Sequence, residues 1–259
     1  MSSERINGIW VEDSGTGGEA VLCIHGLGGS SNFWSPVMEA FGDKRVIRPD
    51  LAGAGRSADP PGAVSIAGHV AALAGVLDAL KIARAHVVAH SMGTIIAQHL
   101  AVTHPDRVSS LALFGPLAAP PDAAREPTRN RARAARGGAG AMQEIADAIC
   151  KAATSAQTKS ERPVSLALVR ESIMRQPPEG YALNCEALAE AQAAPVEQLA
   201  VPVLLVTGDE DGVGTPAGTQ ALAGRLKDAR QFVLQGCGHW TTYEKPFECA
   251  RLLADFYKR

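Results

Sequence analysis

The chain has 259 residues, of which 46% are hydrophobic, and this length suits one α/β domain with a substantial core. The formal net charge of −2 gives no positive field for nucleic acid, and the hydrophobic fraction is too high for a disordered chain. No apolar run reaches the roughly 20 residues of a membrane-spanning helix, and the first residues lack the apolar core of a secretory signal.

Short apolar runs alternate with helical patterns over the first 115 residues or so. The runs that we interpret as strands are 20–24, 45–48, 86–89 and 111–114. Between them, 65–80 and 92–103 have helical periodicity, and Ser65 is a good N-cap. Strands that alternate with helices predict βαβ units and a mostly parallel sheet.

The alternation stops between about residues 117 and 200. This stretch is rich in alanine, arginine and proline and contains no convincing strand, so we interpret it as a helical cap. The βα pattern resumes with a strand at 203–206, a helix from about Pro216, a strand at 231–234 and a last helix from about Glu244. The sequence therefore predicts a core formed by 1–116 and 201–259, interrupted by a cap at 117–200.

The strongest functional signal is Ser91, which lies between the strand at 86–89 and the following helix. A nucleophilic serine at a strained strand-to-helix turn needs small neighbours, and Gly93 provides one of them. The other position that is usually glycine is Ala89. A serine here can also simply cap the helix, so the motif alone leaves both interpretations open.

The glycine-rich segment 25–30 (HGLGGS) follows the first apolar strand. Its spacing matches no phosphate-binding loop, and its glycines let the backbone approach a substrate closely. We predict that the amide of Leu27 in this loop and the amide of Met92, at the start of the helix after Ser91, form an oxyanion hole.

An acid and a base should follow Ser91 in that order at later strand ends. Asp209, Glu210 and Asp211 compete as the acid, and Asp211 lies furthest beyond the strand. His239 lies in a glycine-flanked loop after the last strand. We therefore predict a triad of Ser91, Asp211 and His239, in which His239 accepts the serine proton and Asp211 orients the imidazole.

The five cysteines include no pair at metal-ligand spacing, and their odd number favours a reducing compartment. We expect a cytoplasmic protein that needs no cofactor and no metal. Its expected partner is a small-molecule substrate, with neither nucleic acid nor membrane involved.

With these residues in hand, the chain resembles the α/β-hydrolase superfamily over nearly its whole length. The resemblance is carried by His25-Gly26, 50–57 (DLAGAGRS), the Ser91 turn, 208–211 (GDED) and Gly238-His239. Ala52 and Ala54 stand where the family usually has arginine and histidine. The resemblance implies an α/β-hydrolase fold with an inserted helical cap.

Within that superfamily the chain is most similar to 3-oxoadipate enol-lactonases and related bacterial esterases. The shared segments are 57–62 (SADPPG), 90–93 (HSMG), 177–182 (PPEGYA) and 201–203 (VPV). The resemblance implies hydrolysis of a small ester or lactone, and for an enol-lactonase a place in the degradation of aromatic compounds. C–C hydrolases of ring-cleavage products share the same triad, and some relatives with intact triads are slow-turnover ligand receptors.

Several residues are candidates for contacting the substrate. His25, Trp34 and Trp240 adjoin the site loops and are predicted to line the pocket. Arginines crowd the start of the cap and can bind a substrate carboxylate, although we favour a solvated helix face for them: Arg125, Arg129, Arg131, Arg133 and Arg136.

Overall fold

A computed structural model describes residues 2–15, 17–60 and 62–258. Pro61, which belongs to the 57–62 motif, lies outside the described residues, as do the first and last residues of the predicted core. The eight strands are β1 (Ser2–Ile6), β2 (Ile9–Asp13), β3 (Ala20–Ile24), β4 (Arg45–Pro49), β5 (Ala85–His90), β6 (Val108–Phe114), β7 (Val203–Gly208) and β8 (Ala229–Leu234).

The strands form one sheet in the order β1-β2-β4-β3-β5-β6-β7-β8. The pairs β1–β2 and β2–β4 are antiparallel, and all other neighbours are parallel. The six strands from β3 onward include every strand that the sequence predicted. The mostly parallel α/β sheet is therefore confirmed.

Ten α-helices surround or extend the sheet. They are α1 (Ile66–Ala79), α2 (Met92–Thr103), α3 (Asp122–Ala135), α4 (Ala139–Ala153), α5 (Ala156–Glu161), α6 (Pro163–Met174), α7 (Pro178–Glu190), α8 (Pro216–Ala223), α9 (Thr241–Glu244) and α10 (Pro246–Tyr257). Three 3₁₀ helices cover Ser31–Phe41, Pro105–Arg107 and Val196–Gln198. None of the described helices is long and apolar enough to cross a membrane.

The two faces of the sheet are covered by different helices, as the alternation along β3 illustrates. Leu22 and Ile24 pack into a cluster with residues of α1 and α2. Val21 and Cys23 point the other way, into a cluster with the 3₁₀ helix Ser31–Phe41 and α10. Because both faces are buried, each central strand contains an uninterrupted apolar run, which is why these strands could be recognised in the sequence.

The predicted beginning of α1 is confirmed, because the Ser65 hydroxyl accepts a hydrogen bond from Gly68 N at 3.0 Å. The hairpin of β1 and β2 was not predicted. Its strands are joined by Asn7-Gly8, both with positive φ, which is the residue pair that a two-residue hairpin turn prefers. The Asn7-Gly8 dipeptide could have indicated the hairpin. The hairpin was missed because β1 is polar and exposed and therefore lacks the apolar pattern of a strand.

The last helix is also corrected in detail. The helix predicted from about Glu244 is α10, which begins at Pro246, and the unpredicted short helix α9 comes before it. Proline there has no amide to leave unpaired, so it starts a new helix where the previous one ends. Phe247, on this helix, is exposed.

Residues 117–200, all of which the structure describes, contain five α-helices, one short 3₁₀ helix and no strand. Helix α3 packs against α7, and α4 packs against α6. The insertion leaves the core after β6, at the carboxyl edge of the sheet, and returns before β7, at the opposite edge, because β6 and β7 are parallel. The division between core and cap at these boundaries stays a prediction.

Candidate active site

The backbone at Ser91 makes a strained turn between β5 and α2. Ser91 has φ 53° and ψ −124°, a conformation that non-glycine residues rarely adopt. The neighbouring chain is very close, because a Cβ on Gly93 would lie 2.5 Å from the His25 carbonyl oxygen. A Cβ on Gly26 would lie 2.7 Å from the Ser91 Cβ. Ala89 is fully buried in β5, so alanine is accommodated at the position that is usually glycine.

Ser91, His239 and Asp211 lie together although they come from three separate loops. His239 Nε2 is 2.8 Å from Ser91 Oγ, and His239 Nδ1 is 2.9 Å from Asp211 Oδ2. The three side chains are 7%, 6% and 3% exposed, respectively. The arrangement is a serine, a base and an orienting acid in hydrogen-bond contact.

The carboxylate of Asp211 is held ionised by its surroundings. Burial by itself raises its pKa, but the attraction of His239, the hydrogen bond to that ring, and the amides of Val213 and Gly214 bring the pKa below its ordinary value. Both amides donate to Oδ1 at 2.8 Å. A carboxylate can only accept, so His239 Nδ1 carries the proton and Nε2 presents a lone pair to Ser91.

The two competing carboxylates have other partners. Asp209 Oδ1 accepts from Cys237 N at 3.0 Å and braces the loop before His239. Glu210 Oε2 accepts from Ala156 N at 2.8 Å, in the cap. Only Asp211, among these three, contacts His239.

Gly115, directly after β6, is a site residue that the sequence analysis missed. It has φ 53°, and a Cβ there would lie 2.9 Å from both Cε1 and Nδ1 of His239 and 3.2 Å from Asp211 Oδ2. The imidazole and carboxylate therefore pack directly on the Gly115 backbone. A glycine at a strand end that carries no other motif was the only sequence signal.

The amides of Leu27 and Met92 are available to a ligand. No acceptor within the described ranges is recorded for the Leu27 amide, and Met92 is in the first turn of α2, where amides have no intrahelical acceptor. The positive end of α2 also favours negative charge at this point. An oxyanion hole at these two amides stays a prediction, which this geometry supports.

A family model described as "alpha/beta hydrolase fold" matches residues 19–246. The chain belongs to the α/β-hydrolase fold family. The match includes all three residues of the predicted triad and the whole insertion between β6 and β7.

Solved structures similar to this α/β-hydrolase cover it completely. A thermophilic esterase from Thermogutta terrifontis, determined with malate bound, has a TM-score of 0.91 and 27% identity over 100% of this chain and 98% of its own. The enol-lactonase from Burkholderia xenovorans has a TM-score of 0.88 and 28% identity over 100% of both chains.

Curated relatives match a shorter part of this α/β-hydrolase. A putative carbamate hydrolase, RutD, from Caulobacter segnis is 40% identical over 117 residues, which are 43% of this chain and 44% of that protein. A second RutD protein, from Azorhizobium caulinodans, is 41% identical over 97 residues, 37% of each chain. The chain thus spans less than half the length of these relatives.

The cap lies tightly over the oxyanion loop. Gln176 Nε2 donates to the carbonyl oxygens of Gly28 and Gly29 at 3.2 and 3.1 Å, and Ser172 Oγ donates to Gly28 O at 2.7 Å. Gln176 Oε1 accepts from Gly55 N. No pattern in the sequence distinguished these two polar cap residues, because their partners are backbone atoms far away along the chain.

The space between cap and oxyanion loop is a cavity of about 10 Å³, room for about one water molecule. Its lining residues come from both sides: His25, Leu27, Gly28 and Met92 from the core, and Gln176, Tyr181 and Asn184 from the cap. The arrangement therefore leaves room for about one water molecule, and for nothing larger, at this point.

His25 is placed beside this cavity, but both of its ring nitrogens have backbone partners. Nε2 accepts from Leu51 N at 2.9 Å, so Nδ1 carries the proton and donates to Gly26 O at 2.8 Å. Burial lowers the pKa of His25, and the imidazole stays neutral. His25 shapes the loop at residues 25–30. Its predicted contact with substrate stays a prediction, and because both ring nitrogens are already hydrogen-bonded, that contact would be made by the carbon atoms of the ring.

Trp34 and Trp240 are both buried in an aromatic cluster behind the triad. Phe33 stacks on His90 at 4.2 Å between ring centroids and contacts Trp34 and Trp240 at 5.0 and 5.9 Å. His90 in turn lies 4.8 Å from the His239 ring. The two tryptophans therefore support the catalytic loops from the rear, and their predicted role in substrate binding is untested.

The cap arginines mostly form ion pairs on the surface, as the preferred interpretation expected. Arg129, Arg133 and Arg136 pair with cap glutamates at 2.7 to 3.3 Å. Arg125 donates to the last carbonyls around α7, those of Ala189 and Ala191.

Arg131 differs from the other four because its charge acts on the buried hydroxyl of Tyr181. It opposes the rise that burial causes in the pKa of Tyr181 and of Cys185. Tyr181 lines the cavity between residues 25–28 and the cap. Arg131 is therefore the one of the five arginines whose charge acts on a residue of that cavity.

The site contains no set of metal ligands in the part of the chain that is described, where no group of three or more histidine, cysteine or acidic side chains could hold a metal ion. All five cysteines are free and buried. The compartment stays a prediction.

We expect stability to fall in acid because of Asp50 as well as Asp211. Burial raises the pKa of Asp50, but the hydrogen bonds from Arg56 and from the Ser31 amide bring it below its ordinary value. A carboxyl whose pKa is lowered by folding stabilises the folded state above its ordinary pKa, and this stabilisation is lost as the pH falls through the lowered pKa. The thermal unfolding temperature, measured at pH values from 7 to 2, should therefore start to decrease once the pH is below about 4.

A matched variant isolates this contribution. Asp50→Asn should cost about 2 kcal/mol at pH 7, because the amide keeps only one of the two acceptor oxygens that serve Ser31 N and Arg56. The difference in the free energy of unfolding between wild type and Asp50→Asn should become smaller as the pH is lowered. A difference that stays constant down to pH 2 would contradict the assignment.

Proposed function

We propose that this α/β-hydrolase cleaves a small carboxylic ester or lactone through an acyl-enzyme on Ser91. The observation that carries the proposal is the continuous contact from Ser91 Oγ to His239 Nε2 at 2.8 Å and from His239 Nδ1 to Asp211 at 2.9 Å. Residues 117–200 act as the cap in this proposal, and the two flanking segments carry the chemistry.

The first half-reaction forms the acyl-enzyme. Ser91 Oγ bonds to the ester carbonyl carbon as its proton passes to His239 Nε2, and the carbonyl electron pair moves onto oxygen. The amides of Leu27 and Met92 stabilise that oxyanion, each by about 3 kcal/mol. The intermediate collapses, the bond to the leaving alcohol oxygen breaks, and His239 returns its proton to that oxygen.

The second half-reaction releases the acid. A water molecule gives its proton to His239 Nε2 as its oxygen attacks the acyl carbon, and collapse of the second intermediate returns the proton to Ser91 Oγ. Asp211 stays ionised throughout and stabilises the imidazolium that forms twice per turnover. For a lactone the released alcohol and acid are one molecule.

Two similarities support ester and lactone chemistry. The structures that cover the whole chain are named an esterase and an enol-lactonase. The esterase holds malate, a dicarboxylate, and in this chain the positive charge of Arg131 acts on Tyr181, which lines the cavity. A carboxylate on the substrate is therefore part of the proposal.

Carbamate hydrolysis is the second candidate. It is favoured by the 40% identity to a putative carbamate hydrolase over 117 residues. The chemistry is the same up to collapse, where the bond from the carbonyl carbon to nitrogen breaks, His239 gives its proton to that nitrogen, and an amine leaves instead of an alcohol, with the carbonyl carbon kept on Ser91 Oγ until water releases it. The two candidates differ only in what the cap admits.

The test is a panel of nitrophenyl esters of increasing acyl length, small lactones, a carbamate and a vinylogous diketone. We expect acetyl esters to exceed octanoyl esters in kcat/KM by at least about tenfold, because the cavity has room for about one water molecule and a long acyl chain must displace more of its lining than a short one. A preference for the diketone would indicate C–C hydrolysis. Tight retention of a ligand without turnover would indicate a receptor.

A matched pair of variants tests whether the cavity sets the preference. Tyr181→Leu removes the ring that lies 3.4 Å from where a Gly28 Cβ would be, and should reduce the preference for short acyl chains. Tyr257→Leu truncates a tyrosine that contacts Phe41 and His86, away from the cavity, and should leave the preference unchanged. If both variants reduce the preference for short acyl chains equally, the cavity does not set that preference.

A further inference from the structure

Glu244 is a fully buried carboxylate at the end of α9 that holds the loop carrying His239. Its Oε2 accepts from Gly238 N at 3.0 Å, and its Oε1 accepts from Trp240 N at 3.0 Å. These are the backbone amides on either side of His239. One carboxylate therefore fixes the main chain immediately before and after the proposed base.

The same carboxylate also holds the cap. Oε2 accepts from Ser155 N and from Thr158 Oγ1, both at 2.8 Å, where α4 ends and α5 begins. Arg162, at the end of α5, donates to the Glu244 carbonyl oxygen at 2.8 Å. Within the described part of the chain no cationic side chain pairs with the Glu244 carboxylate, so its four hydrogen bonds are what compensates its burial.

The His239 backbone has two further contacts that agree with this arrangement. Its amide donates to Ala153 O at 2.9 Å, at the last residue of α4, and its carbonyl oxygen lies 2.8 Å from His90 Nε2. A Cβ on Gly238 would lie 2.8 Å from Ala153 O and Ser155 N. The cap junction at 153–158 thus forms one wall of the loop that carries the base.

We propose that Glu244 is a positioning residue that couples the seating of the cap to the placement of the His239 imidazole. With the cap seated, Ser155 and Thr158 fix Oε2, and the carboxylate in turn fixes both amides that flank His239. When residues 153–158 move away, Oε2 loses two of its three donors and the loop loses its support. The inference rests on the proposed function, because it assigns the base its position.

The chemistry of an amide makes Glu244→Gln an informative change. If the amide oxygen takes the Oε2 position, where three donors meet, the NH₂ group faces the Trp240 amide and two donors oppose each other. One backbone amide beside His239 is then left without an acceptor. The size of the side chain is unchanged.

We expect Glu244→Gln to lower kcat for an acetyl ester by about 10- to 100-fold, the loss that about 1 Å of misplacement produces. KM should change by less than about threefold, because Glu244 does not line the cavity. Glu248→Gln, one turn further along on α10, removes the same charge and should leave both constants unchanged. Thermal unfolding of each variant confirms that it is folded at the assay temperature.

The cap side of the coupling is tested at Thr158. Thr158→Val removes the hydroxyl donor to Glu244 and should lower kcat about fivefold, while Thr158→Ser keeps the hydroxyl and should restore kcat to within about twofold of wild type. In the Glu244→Gln background Thr158→Val should have little further effect on kcat. If Glu244→Gln does not fold, the Val and Ser variants alone decide the question.

The failure of this inference is distinguishable from that of the proposed function. If Ser91→Ala abolishes activity while Glu244→Gln or Thr158→Val keeps wild-type kcat, the coupling is wrong and the acyl-enzyme mechanism stands. If Ser91→Ala keeps activity, the mechanism itself is wrong. Additive effects of Glu244→Gln and Thr158→Val on kcat would also overturn the coupling, because independent sites add.

Discussion

Replacing Ser91 by alanine is expected to lower kcat for an acetyl ester roughly a million-fold, as removal of the nucleophile does in other serine hydrolases. The reason is that no other hydroxyl in the site contacts His239 Nε2 within the described residues. His239→Ala should cost about as much, and the double variant little more, because the two groups act as a unit.

The measurement is the rate of ester hydrolysis together with covalent labelling by a fluorophosphonate. Wild type should gain one label, located on the peptide that contains Ser91, and Ser91→Ala should gain none. Ser110→Ala is a suitable control, because Ser110 is a buried serine that pairs with His86 at 2.7 Å, near the other end of β5. Retained activity or labelling in Ser91→Ala would falsify the acyl-enzyme mechanism.

Asp211→Asn is expected to lower kcat by about 10⁴-fold with little change in KM. The amides of Val213 and Gly214 both donate to Oδ1, so the asparagine oxygen takes that position and its NH₂ group takes the position of Oδ2. There it faces His239 Nδ1 at about 2.9 Å and donates to it. Nε2 then carries the proton, and the imidazole has no lone pair for Ser91.

The neighbouring carboxylates are controls with the same charge in the same loop. Asp209→Asn and Glu210→Gln should each lower kcat by less than about tenfold, since their partners are the amides of Cys237 and Ala156. Kinetics at saturating substrate compare the three variants. Equal losses in all three would mean that net charge, and not contact with His239, is what matters.

The elements that could be predicted from the sequence are those whose residues carry local information. The strands β3 and β7 are buried along their whole length and almost continuously apolar, and Ser65 identifies the start of α1 by its capping side chain. Ser91, Asp211 and His239 each follow a strand, so topology alone brings them to one edge of the sheet. That is why they could be selected before the structure was known.

The remaining features depend on contacts between distant segments. The polar strand β1 is an exposed edge strand, so it has no apolar run to reveal it. Gln176 is 148 residues from Gly28, and Glu244 is 86 residues from Thr158. Nothing in the local sequence of these residues specifies their partners, because each partner is reached only through the fold of the cap.

The narrow cavity beneath the cap bears on the fate of the acyl group in the proposed mechanism, after the alcohol has left. Space for about one water molecule beside Leu27 and Met92 admits the reagent for hydrolysis and leaves no room for a second alcohol. While the cap stays seated, we therefore expect the acyl group to pass to water, and we expect transfer to added alcohols to require movement of the cap. In the proposed mechanism, the volume that the cap leaves empty decides between hydrolysis and acyl transfer.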